Sequence, residues 1–359
     1  MSTSNTHKDF NTDELWMQRC LDLAINGLGN VAPNPLVGCV IVHENKVIGE
    51  AYHVGFSLEH AEVNAINAVK DKSLLSKSTL YVNLEPCSHH GKTPPCSDLI
   101  ILHKLKKVVV GALDSNEIVN GLGVEMLKEA GIEVVVNVLK KECLVLNKRF
   151  YTFHEKKRPH YILKWAETSD GYIYDNDQNK AISNKLSQQK VHQIRSEEQA
   201  LLIGKNTLIT DNPLLNTRLV KGKNPLRIIV MGEMINSIRQ QKIFKDGAPT
   251  LIFNTSIAAK ENQVEFIKYG KGEFMSKLND VLYQRGILSV LVEGGTTTLN
   301  AFIKSNNWDE AYKIVAQHSF SKGVIAPEIS TPISSEYKVG EGDKQDNWFK
   351  YLNQNNKSA

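Results

Sequence analysis

The chain lacks the features that would place it outside the cell or in a membrane. Its five cysteines, Cys20, Cys39, Cys87, Cys96 and Cys143, are odd in number and irregularly spaced. That argues against a disulfide framework and for a reducing compartment. No run approaches the roughly 18 consecutive apolar residues of a membrane span. The opening MSTSNTHKDFNTDE carries neither the basic nor the apolar stretch of a signal peptide. A cytoplasmic location is the expectation. Charge of one sign is scarce too: the net charge of +4 is spread out, so it demands no nucleic acid and suits an anionic small molecule equally well. There is no internal repeat and no G-x-G-x-x-G, which disfavours a Rossmann dehydrogenase. What remains is an ordinary globular composition, 41% hydrophobic and 23% charged, over 359 residues. That is too long for one typical core, and two domains are expected.

One stretch organises the chain. His60-Ala61-Glu62 precedes an apolar helical run and the strand Thr79 to Leu84; Glu85-Pro86-Cys87 follows directly, and Pro94-Pro95-Cys96 closes the block. One imidazole and two thiolates form a three-ligand set for zinc that leaves a fourth position for water, as catalytic sites do. Glu62, two residues beyond the first ligand, is placed to move protons; H-x-E with P-C is the signature of zinc deaminases. Residues i and i+2 do not share a face inside a helix, so His60 and Glu62 converge only at a helix's first turn, for which Ser57-Leu58-Glu59 offers a start. Ala61, Ala65, Ala68 and Val69 give that helix a small face for burial. Cys87 is expected to open the next helix, with Pro94-Pro95 fixing the approach to Ser97–Lys104. Two helix N-termini aimed at one metal would favour thiolate through their dipoles. Singly, a helix-start histidine and buried cysteines are unremarkable; in this order they point to a metal. Eight residues separate Cys87 from Cys96, where most zinc deaminases have about two.

The block PCSHHGKTPPC, with HAE upstream and Asn34-Pro35 and Tyr52-His53 before it, closely resembles the deaminase half of the bifunctional riboflavin-biosynthesis enzymes. These fuse a diaminohydroxyphosphoribosylaminopyrimidine deaminase to a 5-amino-6-(5-phosphoribosylamino)uracil reductase. The resemblance runs over roughly residues 13 to 320. It implies a cytidine-deaminase-like α/β/α layered domain followed by a dihydrofolate-reductase-like α/β domain, with Zn2+ and NADPH as cofactors. It also implies a phosphorylated pyrimidine substrate, no nucleic-acid or membrane partner, and a homo-oligomer. Asn34 and His53, which from the residues alone read as turn-shaping, move into the substrate pocket. His89 lies between the thiolates, and Lys92 there becomes a substrate-phosphate contact. Asp114-Ser115-Asn116-Glu117 departs from the usual Asp-Pro-Asn but keeps the carboxylate.

Along the chain, Asn11 and Glu14 suit a capping pair for a helix whose stripe is Met17, Cys20, Leu21, Ala24, Ile25 and Leu28. Leu36 to Gly49 reads as a hairpin turning at Glu44-Asn45. Helix and strand then alternate, with a helix through Cys143 to Phe153, and the basic stretch from His154 reads as a linker. The expected domains are therefore 1–153, the deaminase, and 154–359, the reductase. The tail from about Glu341 is polar enough to be partly disordered.

In the second domain, Ser289 to Val292 reads as a strand running into Glu293-Gly294-Gly295-Thr296; glycines there let a pyrophosphate approach a helix N-terminus. Carried over by resemblance, Lys164, Arg195, Leu215, Arg218 and Glu293 fall at substrate positions. Ala166, Ser183, Thr207, Asp211 and Gly294, Gly295, Thr296 and Thr297 fall at cofactor positions. Three cations there suit a ribose phosphate. Ala181 replaces a frequent Trp, and Thr168-Ser169-Asp170-Gly171 replaces Ser-Leu-Asp-Gly. The motif block leaves other readings open: a nucleic-acid-base deaminase, a structural zinc with His53, His89 or His90 as fourth ligand, or an active deaminase with a degenerate reductase.

Overall fold

The computed structural model describes residues 11–88, 94–115, 121–175 and 181–356. It divides into two compact units, Met1–Glu155 and Lys156–Ala359.

In the first unit, Asn11 accepts the Glu14 N–H at 2.9 Å and Glu14 accepts the Asn11 N–H at 3.2 Å. This capping box opens α1 (Thr12–Ala24) as the sequence predicts. Met17, Cys20, Leu21 and Ala24 are buried, whereas Ile25 lies past the helix and is exposed. β1 (Gly38–His43) and β2 (Lys46–Tyr52) form the hairpin. Glu44 and Asn45 both take positive φ, 47° and 58°, the turn geometry that matches strand twist. There follow α2 (Ala61–Ala68), β3 (Thr79–Leu84), α3 (Cys96–Leu102), β4 (Lys107–Ala112), α4 (Leu122–Glu129), β5 (Glu133–Val135), α5 (Lys140–Leu146) and α6 (Lys148–Lys156).

The strands form one sheet in the order β2-β1-β3-β4-β5. Period two sorts its side chains. Cys39, Ile41, Leu80, Val82, Val108 and Val110 pack with α2, α3 and α4; Val40, Val42, Tyr81 and Val109 pack with α1, α5 and α6. This is the expected α/β/α layering. At Gly38 the approach of α1 leaves no room for a side chain, since a Cβ would stand 2.1 Å from the Cys20 carbonyl oxygen. The single helix expected through Cys143 to Phe153 is two. Asn147 interrupts it, its side chain accepting the Leu36 N–H at 2.7 Å and donating to the Leu36 carbonyl at 2.9 Å.

The second unit runs β6 (His160–Glu167), β7 (Tyr172–Tyr174), α7 (Lys185–Glu197), β8 (Ala200–Gly204), α8 (Lys205–Asp211), β9 (Leu226–Val230), β10 (Thr250–Asn254), β11 (Ala259–Glu261) and β12 (Val264–Lys268). It continues with α9 (Phe274–Gln284), β13 (Ser289–Val292), α10 (Thr296–Lys304), β14 (Glu310–Val315), β15 (Val324–Ile325), β16 (Ile333–Val339) and β17 (Asp346–Leu352). Ten strands form one sheet, β11-β12-β10-β9-β8-β13-β6-β14-β17-β16. Neighbours from β12 to β14 are parallel, so the C-terminal ends of β6, β8, β9 and β13 share one edge. Ligands of open α/β sheets bind at that edge.

The polar tail is not loose. β17 pairs with both β14 and β16. Trp348 is fully buried, donating its indole N–H to Ser187 Oγ at 2.9 Å and stacking on Tyr337. Its polar neighbours occupy the alternate positions of a half-buried strand, and polarity averaged over the segment hides that alternation. No helix among the described residues is long and apolar enough to cross a membrane.

Candidate metal centre and ligand cavity

His60 is the N-cap of α2, and Glu62 lies in that helix's first turn, the only place where residues two apart can converge. Cys96 is the first residue of α3, behind Pro95 as N-cap. Cys87 does not open a helix, contrary to expectation. It follows β3 in an irregular segment, and the prolines at 94 and 95 delay the next helix until Cys96. Its sulfur is nonetheless held, accepting the Cys96 N–H at 3.3 Å. Behind it, the Cys87 carbonyl accepts both the N–H (3.2 Å) and the hydroxyl (3.0 Å) of Ser97. His60 Nδ1 stands 3.3 Å from Cys96 Sγ and 3.6 Å from Cys87 Sγ. The three donor atoms lie within 4.8 Å of one another.

Electrostatics fit a cation here. Burial pushes Glu62 up to about 7, Cys87 adds to the rise, and His60 opposes it. The Cys96 side chain, bonded to Cys87, brings the Cys87 thiol down to about 4, helped by His60 against the cost of burial. Cys96 moves the opposite way, well above an ordinary thiol, first through that same bond and then through burial. Ionising both thiols beside the buried Glu62 would set like charges against one another; a divalent ion held there would offset that repulsion, and a His-Cys-Cys set is zinc chemistry.

Asn34 and His53 join the site. His53 Nδ1 lies 3.0 Å from the Glu59 carbonyl oxygen and Nε2 lies 3.0 Å from Asn34 Nδ2. A carbonyl only accepts, so Nδ1 carries the proton and Nε2 accepts from the amide. Burial lowers the His53 pKa, keeping the ring neutral, and the ring meets His60 edge-on at 5.5 Å. His89 and Lys92, and also His90, lie outside the described residues.

In the second unit a cavity of about 1250 Å³ is lined by every residue that the resemblance assigned there: Lys164, Ala166, Ser183, Arg195, Thr207, Asp211, Leu215, Arg218, Glu293 and Gly294 to Thr297. Arg195 grips Glu293 with two bonds, 2.7 and 2.6 Å, and Lys164 Nζ stands 4.0 Å from the same carboxylate. Burial alone would raise the Glu293 pKa, but Arg195 and Lys164 outweigh it and hold it near 2. Across the cavity the Gly295 N–H donates to Thr207 Oγ1 at 3.1 Å at the start of α10. Leu215 is buried with φ at +51°, a conformation that costs energy for a branched residue and is found at ligand-binding loops.

Sequence reasoning missed His192, which lines the cavity one helical turn before Arg195. Burial, with Arg195 and Arg218, brings its pKa down to about 4. Its Nε2 faces Arg195 Nη1 at 3.5 Å. The i, i+3 spacing on α7 was the available signal.

Comparison with known proteins identifies both domain types in this chain. The profile of the "Cytidine and deoxycytidylate deaminase zinc-binding region" matches residues 10–112, and that of the "RibD C-terminal domain" matches residues 159–316. The riboflavin biosynthesis protein RibD of Aquifex aeolicus is 38% identical over 327 residues, 88% of this chain and 90% of that protein. That of Actinobacillus pleuropneumoniae is 36% identical over 344 residues, covering 93% and 90%. The crystal structure of a diaminohydroxyphosphoribosylaminopyrimidine deaminase/5-amino-6-(5-phosphoribosylamino)uracil reductase from Thermotoga maritima superposes with a TM-score of 0.83 at 37% identity, over 95% of this chain and 98% of that one. With relatives this similar over nearly their whole length, and both family profiles in the same order, the chain belongs to the RibD family of bifunctional riboflavin-biosynthesis enzymes.

Proposed function

We propose that the unit Met1–Glu155 deaminates a phosphorylated diaminopyrimidine and that the unit Lys156–Ala359 then reduces its ribosyl group to ribityl. The observation that carries this reading is the convergence of His60 Nδ1 and the sulfurs of Cys87 and Cys96 within 4.8 Å, with Glu62 in the adjoining helix turn. Those three side chains would hold zinc, whose chemistry there would be Lewis-acid activation of water near neutral pH. Glu62, buried in the helix turn beside the ligands, is placed to take a proton from water and return it to the departing ammonia. Asn34 and neutral His53 present an amide and an imidazole to the pyrimidine, each fixed by the other.

In the second unit the chemistry of a bound NADPH would be hydride donation. The start of α10 with Gly294, Gly295, Thr296 and Thr297, and Thr207 facing it, suits a cofactor pyrophosphate. Ala166, Ser183 and Asp211 line the remaining cofactor side of the cavity. Lys164, Arg195 and Arg218 neutralise the substrate phosphate, while Glu293 holds Arg195 in place and Leu215 closes the apolar wall. The task of this unit is positioning rather than proton traffic.

The test gives purified protein the diaminohydroxyphosphoribosylaminopyrimidine and NADPH, following ammonia and NADPH absorbance together. Ammonia followed by NADPH oxidation is expected. Ammonia alone would limit the function to deamination; neither signal from protein holding one zinc per chain would overturn the reading. The substrate is a small molecule rather than a nucleic acid, and the enzyme works as a homo-oligomer. Absent competition by single-stranded DNA or RNA, and a sedimentation mass above one chain, are the corresponding outcomes.

A further inference from the structure

Glu85, between β3 and Cys87, is a buried carboxylate for which the deamination mechanism has no use. It is fully engaged nonetheless. Oε2 accepts the N–H groups of Asp114 (3.1 Å) and Gly121 (2.9 Å), and Oε1 those of Gly123 (2.9 Å) and Val124 (3.2 Å). Three of these donors lie at the start of α4. That helix has glycine at its N-cap, Gly121 with φ at +92°, and no side-chain cap of its own. Glu85 therefore caps α4 from the residue that follows β3, and the helix's unpaired N–H groups and dipole offset the cost of burying the charge. The same helix start also presses on the next residue: a Cβ at Gly123 would stand 2.1 Å from the Pro86 carbonyl oxygen.

This geometry bears on the metal. Cys87 belongs to no helix or strand. Its C-terminal side is pinned to α3 through Ser97. Its N-terminal side has only Pro86 between it and the carboxylate that α4 holds. We propose that Glu85 is a positioning residue for zinc: by locking the end of β3 to the start of α4, it fixes Cys87 at the distance from His60 and Cys96 that the ion needs. Shells beyond the ligands commonly tune metal affinity in this way, by about 10- to 100-fold.

The inference rests on the zinc site proposed above. The experiment uses the full chain loaded with zinc, comparing Glu85→Gln and Glu85→Asp with the parent protein. A chromophoric chelator follows zinc release, and the absorption of cobalt-substituted protein reports thiolate geometry. Reduction of supplied 5-amino-6-(5-phosphoribosylamino)uracil and far-ultraviolet circular dichroism serve as controls. Glu85→Gln, which places an N–H₂ against backbone N–H groups, is expected to release zinc about 10- to 100-fold faster. It should shift the thiolate-to-cobalt band, with both controls unchanged. Glu85→Asp, charged but shorter, is expected to fall between. Release within about twofold of the parent in Glu85→Gln would overturn the proposal. Loss of the fold in both variants would also overturn it, making Glu85 a folding residue only. If the parent itself fails to retain zinc, it is the metal reading that fails.

Discussion

The two units gather their chemistry differently. In the first, donors from a helix N-cap, an irregular segment and a helix start meet at one point, and Ser97 and Cys96 hold Cys87 through bonds only nine or ten residues apart in sequence. In the second, Lys164 on β6, Arg195 on α7 and Glu293 after β13 meet only because β6 and β13 are neighbours in one sheet and α7 carries Arg195 to the same carboxylate. A metal accepts few donor types at few distances, so its site leaves a compact mark in the sequence. A large organic ligand is recognised by shape, backbone and scattered charges, and its site is written in topology.

Breaking one unit's chemistry while sparing the other's is the sharpest use of this contrast. Glu62→Ala is expected to lower deaminase turnover by about 10²- to 10⁴-fold. Zinc content by elemental analysis and reduction of the supplied deaminated intermediate should stay at parental levels. A deamination rate within tenfold of the parent would remove Glu62 from the proton path. Trp348→Ala empties a fully buried site, at a cost of about 3–5 kcal/mol. In a urea titration, loss of reductase activity should come at lower denaturant while deamination holds to its parental midpoint.

The third test concerns pH. Glu62 titrates near 7 in the folded chain against 4.5 as the ordinary value, so folding favours its protonated form. Its contribution to stability is full below about 4.5 and is lost as pH rises through 7, amounting to about 3 kcal/mol. In chelator-stripped protein, the stability difference between Glu62→Gln and the parent should widen over that window. A flat difference would show that Glu62 is not buried as a charge. The smallest effect is expected for Arg195→Ala. It leaves Glu293 with Lys164 at 4.0 Å as its remaining ion-pair partner, and kcat/KM for reduction should fall by about 100-fold with deamination unchanged. Arg195→Lys would restore charge but not the two-pronged grip.

Much of this was legible beforehand. His60, Glu62, Cys87 and Cys96 stand in one block whose spacing has few uses, and the capping box at Asn11 and the Glu44-Asn45 turn are local events. The local conformation of Cys87 was not legible, because it follows from bonds to a helix that starts nine residues later. Glu85 was invisible for a related reason: its partners are backbone N–H groups 29 to 39 residues downstream, and a backbone group has no letter in the sequence. The tail at Trp348 misled because part of the apolar surface that covers it comes from Val191 on α7 and Ile314 on β14, both well before it in the chain.

β17 lies inside its sheet, between β14 and β16, although it comes last in sequence among the described strands. β6, the first strand of the same unit, lies between β13 and β14, which follow it by more than a hundred residues. On a ribosome the deaminase unit has all its strands in hand while this sheet still lacks its centre. Such long-range pairing forms slowly. The first unit can therefore close on strands near one another in the chain, while the sheet of the second stays open at β6 until strands from more than a hundred residues later arrive.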